Sequence, residues 1–283
     1  MPKKDTAHII NTVHTINTDI NKVKFPITRK SYGKNFYKVV FSIYLDIHSH
    51  ILPKIDDGAK DTATSIKLLE MSKDNGITHI IATPHFYPSS DVFDDYINRA
   101  KNAYNKLNDE IKGKDLPKIY PGCEILYFVG IGRADGLEQI TLNGSSYILI
   151  ELDYSDMNSL LFDDLECLKS RDFIPVIAHF ERCYKENGYR RMIKFVKKNK
   201  IPVQINASTV LNKRYKRFIK SILKSDIFCV IATDTHSITN RPPLLRDALK
   251  EIKESYGEEY HTKLVNNSQK LYKKIIGENI EKQ

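Results

Sequence analysis

From Tyr44 onward the chain alternates, seven times over, between a short β-branched run and an amphipathic run of helical period. That alternation constrains the fold more than any other feature. Strands joined by helix-length crossovers pair in parallel, and a parallel sheet must be covered by helices. The strand runs are SIYLDIH, THIIATPH, PKIYPGCEILY, SYILIELD, IPVIAHF, PVQINAS and FCVIATDTH. The first helical run, DTATSIKLLEMSKDNG, has an Asp/Thr start and a Gly76 stop. The run PPLLRDALKEIKESYG is expected to start its helix on proline, a favoured first-turn residue. A last helix is expected around YHTKLVNNSQKLYKKII. No repeat, linker or low-complexity tract breaks the pattern, so residues 44–283 are expected to form one domain. A doubly wound sheet and a barrel both satisfy the alternation. The 283 residues suffice for a (β/α) barrel, which takes about 250.

The polar residues at the strand exits point to the barrel. The first strand ends in His48 and His50, the second in His85, the third in Glu124 and the fourth in Glu151. The fifth gives His179 with Arg182 just after it, and the seventh gives Asp234 and His236 with Arg241 five residues on. In a barrel these ends converge on one face, where active sites sit. Any one of them alone reads as a solvated or capping residue; five of nine histidines at the same structural position does not. His8, His14, His79 and His261 lack that context. Alternation puts Asp46 on the same side as His48 and His50, where it is expected to support a ligand by hydrogen bonding. Of Asp56 and Asp57, one can simply turn the chain with Gly58.

A donor set of imidazole and carboxylate without thiolate favours Mn, Fe, Zn or Mg in a multinuclear site. Paired ions of this kind clamp the attacking and leaving oxygens of phosphoryl transfer, and Arg182 and Arg241 fit beside them as bidentate phosphate ligands. Competing chemistries fail. No cysteine is followed by five residues and an arginine, and neither a G-x-x-x-x-G-K-[ST] loop nor an H-E-x-x-H helix is present. GIGRADG around Gly130 has the wrong glycine spacing for a dinucleotide loop and reads as a turn. Four cysteines without a C-x-x-C pair fit a reducing cytoplasm. No apolar run approaches the ~20 residues that span a bilayer, and no signal peptide is read. The net charge of +9 invites a nucleic-acid reading. However, residues 1–43 contribute eight Lys/Arg against Asp5 and Asp19, leaving only +3 for the rest, so no nucleic-acid partner is expected. Residues 1–43 read as a basic, flexible extension.

The stretches DIHSHILPKIDDGAKD, IIATPH, GCEILY, ILIELD, VIAHFER, VQINAS and IATDTHSITNRPPLLRDA resemble the PHP (polymerase and histidinol phosphatase) superfamily. More narrowly, they resemble the manganese-dependent tyrosine-protein phosphatases of bacterial capsule and exopolysaccharide loci; DDGAKD, HFER and RPP point to that branch. The resemblance implies a distorted (β/α)7 TIM-like barrel and up to three divalent ions. Mn²⁺ is the expected ion, with Fe, Zn or Mg as alternatives. It implies one ion held by His48, His50, Glu124 and Asp234. A second would share Glu124 and add Glu151 and His179, and a third would use Asp57, His85 and His236. Arg182 and Arg241 match the family's phosphate-binding arginines. The implied activity is hydrolysis of phosphotyrosine in proteins without a covalent enzyme intermediate. The implied partner is an autophosphorylated bacterial tyrosine kinase that governs polysaccharide export. The alternative is a small phosphomonoester such as histidinol phosphate. Lys54 stands where relatives often carry glycine or another small residue.

Overall fold

All strand pairings are parallel, as helix-length crossovers require. A computed structural model describes residues 44–154 and 157–277. The basic extension expected over residues 1–43, with His8 and His14, lies outside them. The elements run β1 (Leu45–Ser49), α1 (Thr62–Asp74), β2 (His79–Ala82), β3 (His85–Phe86), α2 (Phe93–Ile111), β4 (Lys118–Pro121) and β5 (Glu124–Leu126). They continue through β6 (Tyr147–Glu151), α3 (Ser159–Ser170), β7 (Ile174–Ile177), α4 (Tyr189–Asn199), β8 (Val203–Asn206), α5 (Ala207–Leu211) and α6 (Lys216–Leu223). The last three are β9 (Cys229–Ala232), α7 (Leu245–Tyr256) and α8 (Glu258–Ile275).

The strands form two sheets, ordered β1-β2-β4 and β3-β5-β6-β7-β8-β9. β2 and β3 are two pieces of the second expected strand, and β4 and β5 two pieces of the third. A parallel bridge between Ser49 and Thr235 joins the free edge of β1 to the chain just past β9. Hydrogen bonds from Asp234 N to His48 O and from His50 N to Thr235 O, both 2.8 Å, complete the seam. Seven strand positions thus close into a ring, the expected (β/α)7 barrel, with its distortion at the two broken strands.

The breaks have local causes. Pro84 cannot donate to a ladder, and its carbonyl is taken instead by Glu124 N and the Tyr96 hydroxyl. Gly122 follows Pro121 where a Cβ would meet Ile81 Cγ2 at 2.5 Å, so only glycine lets the two strands approach. Other boundaries also differ from the sequence reading. The sixth strand stops at Asn206, and α5 takes up the Ala207 and Ser208 expected as strand. α7 begins at Leu245, so Pro242 and Pro243 form its approach and not its first turn.

One core cluster holds helix residues such as Leu68, Leu107, Leu165, Val196 and Phe218 against Ile80, Ile150, Ile177 and Ile205 of the strands. A smaller one joins Ile47, Leu149, Val176 and Val230, from strands that are not all neighbours, with Leu271 and Tyr272 of α8. His79 sits among aromatic rings, 4.8 Å from Tyr272 and 6.0 Å from Tyr120, away from the strand exits. Among the described residues no helix is long and apolar enough to cross a membrane.

Candidate metal centre

Glu124, at the start of β5, is fully buried and forms the hub of the strand exits. Four imidazoles approach it. His48 Nε2 lies 3.0 Å, His50 Nε2 3.2 Å and His85 Nδ1 3.0 Å from Oε2, and His179 Nε2 lies 2.8 Å from Oε1. Asp234 Oδ1 lies 3.5 Å from both His48 Nε2 and His50 Nε2. Glu151 Oε1 is 3.9 Å from His179 Nε2. On the outer side, Asp57 Oδ1 is 3.3 Å from His236 Nε2 and 3.6 Å from His85 Nε2. All nine residues expected as metal ligands are therefore brought together. They form overlapping groups whose donor atoms lie within 4.8 Å of one another, among them His50, Asp57, His85 and His236, and also His48, His179 and Asp234.

The donors crowd one common space. Both Glu124 oxygens, His85 Nδ1, His179 Nε2, Asp234 Oδ1 and His236 Nε2 are buried without a hydrogen-bond partner. Leaving such atoms unsatisfied costs about 1–3 kcal/mol each. A cluster of them, all with lone pairs suited to a hard or borderline cation, fits divalent metal ions. Two of the residues sit in the left-handed region, His179 at φ 48° and Asp234 at φ 52°. Strain of that kind collects at functional sites. Both lie just past their strands, where the chain must turn sharply to present them.

The electrostatics follow the geometry. Burial pushes the Glu124 carboxyl up, but the surrounding imidazoles, His48 foremost, hold it well below its ordinary range. Burial works against charge on His50 too, yet its bond to Asp56 and the carboxylate charge of Glu124 beside it raise it to about 10. His236 is pushed down to about 4 by burial and the neighbouring His50. Arg182 Nη1 binds Glu151 Oε1, and Arg241 Nη2 lies 2.5 Å from Asp234 Oδ2. Both arginines are partly exposed at the mouth of the site, at 48% and 39%. Arg241 is carried back over the cluster because His236 N bonds its carbonyl at 3.0 Å.

Of the layer that supports these residues, the sequence pointed to Asp46 alone. Asp56, read as a turn residue, accepts from Gly58 N and His85 N and meets His50 Nδ1 at 2.7 Å. It orients His50 for the cluster, while Asp57 projects into it. β8 contributes Gln204 and Asn206. Gln204 Oε1 accepts from His179 N at 3.0 Å and contacts His48 Nδ1 at 3.1 Å. Gln204 Nε2 donates to Asn206 Oδ1, which also meets His179 Nδ1, and Asn206 Nδ2 donates to Asp234 Oδ2 at 2.7 Å. The available signal was positional: a Q-x-N pair of strand period at the one exit without an ionisable residue. Asp46 accepts from Thr233 and from His48 N, so it supports the ligands through their backbone across the ring seam.

Residues 44–273 match the family described as "Capsular polysaccharide synthesis, CpsB/CapC". The chain is 29% identical over 235 residues to the tyrosine-protein phosphatase YwqE of Bacillus subtilis (strain 168), covering 80% of this chain and 91% of the relative. It is 31% identical over 250 residues to the putative tyrosine-protein phosphatase CapC of Staphylococcus aureus, covering 84% and 95%. A solved structure from work on YwqE of Bacillus subtilis and CpsB of Streptococcus pneumoniae, described as unique metal-dependent tyrosine phosphatases, superposes with a TM-score of 0.72. It is 28% identical and covers 84% of this chain and 97% of that one.

Proposed function

The chain belongs to the CpsB/CapC family of capsular polysaccharide synthesis, and from that premise we propose that it is a metal-dependent phosphatase of phosphotyrosine in proteins. The observation that carries the reading is the convergence of nine His, Asp and Glu donors on one space, with two arginines at its rim.

His48, His50, Asp57, His85, Glu124, Glu151, His179, Asp234 and His236 would hold the metal ions. When bound, divalent ions supply charge that stabilises the transferring phosphoryl group and make hydroxide available as nucleophile near neutral pH. The protein's own residues do the rest. Asp56 and the Gln204–Asn206 pair hold the imidazoles in register. Arg182 and Arg241 exchange their carboxylate partners for phosphoryl oxygens, which a guanidinium fork binds two at a time. No covalent enzyme intermediate is needed. Cys123, Cys183 and Cys229 are buried, and burial pushes the Cys229 thiol up to about 12. Phenolate is a good leaving group, so little general-acid help is needed.

The imidazole and carboxylate donor set admits Mn²⁺ as well as Fe, Zn or Mg, and the family resemblance favours Mn²⁺ as the resident ion. Membership of a capsule family supports an autophosphorylated bacterial tyrosine kinase as partner and a cytoplasmic setting. The small-phosphomonoester alternative draws no support from the relatives, which are named for tyrosine-protein phosphatase. The deciding experiment compares turnover on a phosphotyrosine peptide and on histidinol phosphate. Efficient hydrolysis of the peptide is expected, and a clear preference for histidinol phosphate would overturn the reading.

A further inference from the structure

The net charge of the barrel conceals a segregation. Residues 187–225 contain twelve Lys/Arg and no Asp or Glu, while the rest of the chain from residue 44 carries 24 Lys/Arg against 33 Asp/Glu. All twelve basic residues are exposed. They fall on α4 and on the segment leading into and through α6, and these elements are neighbours. Tyr184 packs its ring against Tyr189 of α4 at 5.5 Å and against Phe218 of α6 at 5.3 Å. Among the described residues only Lys197 of the twelve has a carboxylate within ion-pair distance, Asp226 at 4.0 Å.

A basic helix face is often just a solvated one, and other helices of this barrel show what that looks like. α7 alternates signs and pairs them, Lys250 with its own Glu254 and Lys253 with Glu258 at the start of α8. α4 and α6 have no acidic residue at all. Twelve like charges on one flank, all but Lys197 without a carboxylate within ion-pair distance among the described residues, repel each other and so work against the fold. The flank is also continuous with the site. Tyr184 follows Arg182 by two residues, and its ring lies 6.4 Å from Tyr215, which sits between Arg214 and Lys216. α4 follows β7 through the turn that carries His179 and Arg182, and Glu181 of that turn accepts a hydrogen bond from Thr209 of α5 at 2.8 Å, so this end of the flank adjoins the metal centre.

We propose that this flank is a docking surface for an acidic polypeptide segment, the one that carries the phosphotyrosine. Acidic residues flanking the phosphorylated tyrosine would lie across Lys213, Arg214, Lys216 and Arg217 while the phosphate reaches Arg182. The proposal rests on the phosphotyrosine reading and adds a substrate preference to it. A polypeptide is favoured over a membrane or a nucleic acid because the flank runs into the catalytic mouth, so one extended chain can engage both.

The test uses the full-length, metal-replete protein and three substrates: a phosphotyrosine peptide with glutamate flanks, the same peptide with glutamine flanks, and para-nitrophenyl phosphate. At low salt the wild type is expected to favour the acidic peptide by about tenfold in kcat/KM, mostly through KM, with the preference fading as salt screens the surface. The combined variant Lys213→Glu, Arg214→Glu, Lys216→Glu and Arg217→Glu should lose that preference and keep its turnover of para-nitrophenyl phosphate. A corresponding set of glutamine substitutions serves if the charge-reversed protein does not fold. Equal kcat/KM on both peptides in the wild type, or an undiminished preference in the variant, overturns the proposal. So does binding of anionic vesicles or duplex DNA that the variant abolishes while no peptide preference exists. If only para-nitrophenyl phosphate is hydrolysed, the phosphotyrosine reading fails by itself. Fluorescence anisotropy with a labelled, unphosphorylated acidic peptide then decides the surface: binding lost in the variant sustains it, and no binding overturns it.

Discussion

Gln204 cannot ionise, and yet it determines how two candidate ligands present their lone pairs. Its Oε1 accepts from the His179 backbone N–H, a group that can only donate, so that end of the amide must be oxygen. The His48 Nδ1 facing the same oxygen must then carry the proton, which leaves Nε2 free toward Glu124. Gln204 Nε2 donates to Asn206 Oδ1, so His179 Nδ1 must also be protonated and its Nε2 free. Replacing such a partner typically costs about 10–100-fold in metal affinity or activity. Gln204→Leu is therefore expected to keep the fold and weaken metal binding by at least about tenfold, read by calorimetric metal titration alongside circular dichroism. Wild-type affinity in a folded Gln204→Leu protein would remove Gln204 from the site's support. Arg241 acts on substrate instead. Losing a preorganised charge donor costs about 10²–10³ in rate. Arg241→Ala should lose that much kcat/KM on phosphotyrosine peptide with its metal content intact, and Arg241→Lys should recover only part, since lysine lacks the fork. Steady-state kinetics and metal analysis on the same samples separate these outcomes. At this scale the ionisable residues other than Asp57 were legible because each stood at or just after a strand exit, whereas the neutral amides had no chemistry to betray them and Asp56 and Asp57 could not be told apart beside Gly58.

Among the elements, the loop between β1 and α1 shows where residue type misleads. Lys54 has φ 61°, the region glycine enters freely, and yet carries a long side chain. Gly58 needs no positive φ, but a Cβ there would meet His50 O at 2.2 Å and His50 Cβ at 2.6 Å. The two positions should respond in opposite ways. Lys54→Gly relieves roughly 1 kcal/mol of left-handed strain against a comparable entropy loss in the unfolded chain, so Tm should barely move. Gly58→Ala forces backbone away from a candidate ligand and should cost about 1–3 kcal/mol, with weaker metal binding. Thermal denaturation of the two variants checks this, and an unchanged Tm in Gly58→Ala would show that the loop can yield. The strands themselves were legible from their β-branched runs and the helices from their period. The breaks after Ala82 and Pro121 were not, the first because Pro84 stood inside one continuous β-branched run, and the second because it arises where Gly122 lets two neighbouring strands approach closely, a relation between segments that no single window contains.

For the whole molecule, alternation alone left a sheet and a barrel open, and ring closure rests on a single parallel bridge between Ser49 and Thr235 that joins distant parts of the chain. The polar strand exits favoured the barrel because only closure brings them to one place. Net charge was a poorer guide: a sum of +3 over the barrel hid a basic flank and an acidic remainder. All candidate ligands lie at or beyond His48, so deleting residues 1–40 should leave turnover of a small aryl phosphate nearly unchanged. A folded truncation without activity would assign that segment to the site.

The ring and the cluster are also thermodynamically linked. The candidate ligands are drawn from the exits of six of the seven strand positions, so ions held among them bind the closed barrel and not the unfolded chain. Such binding stabilises by about 4 kcal/mol at a thousand times Kd. In a domain of this size each kcal/mol moves Tm by about 2–4 °C. Chelation is therefore expected to lower Tm by about 10 °C and abolish turnover together, and Mn²⁺ to restore both. Alkylation with iodoacetamide should change neither, because three of the four cysteines are buried and none has the sequence context of a nucleophile. Differential scanning calorimetry and activity on the same chelated and reconstituted samples decide it. Full turnover with an unshifted Tm after complete metal removal would separate the cluster from both catalysis and stability, and with it the reason for burying so many unsatisfied donors at the strand ends.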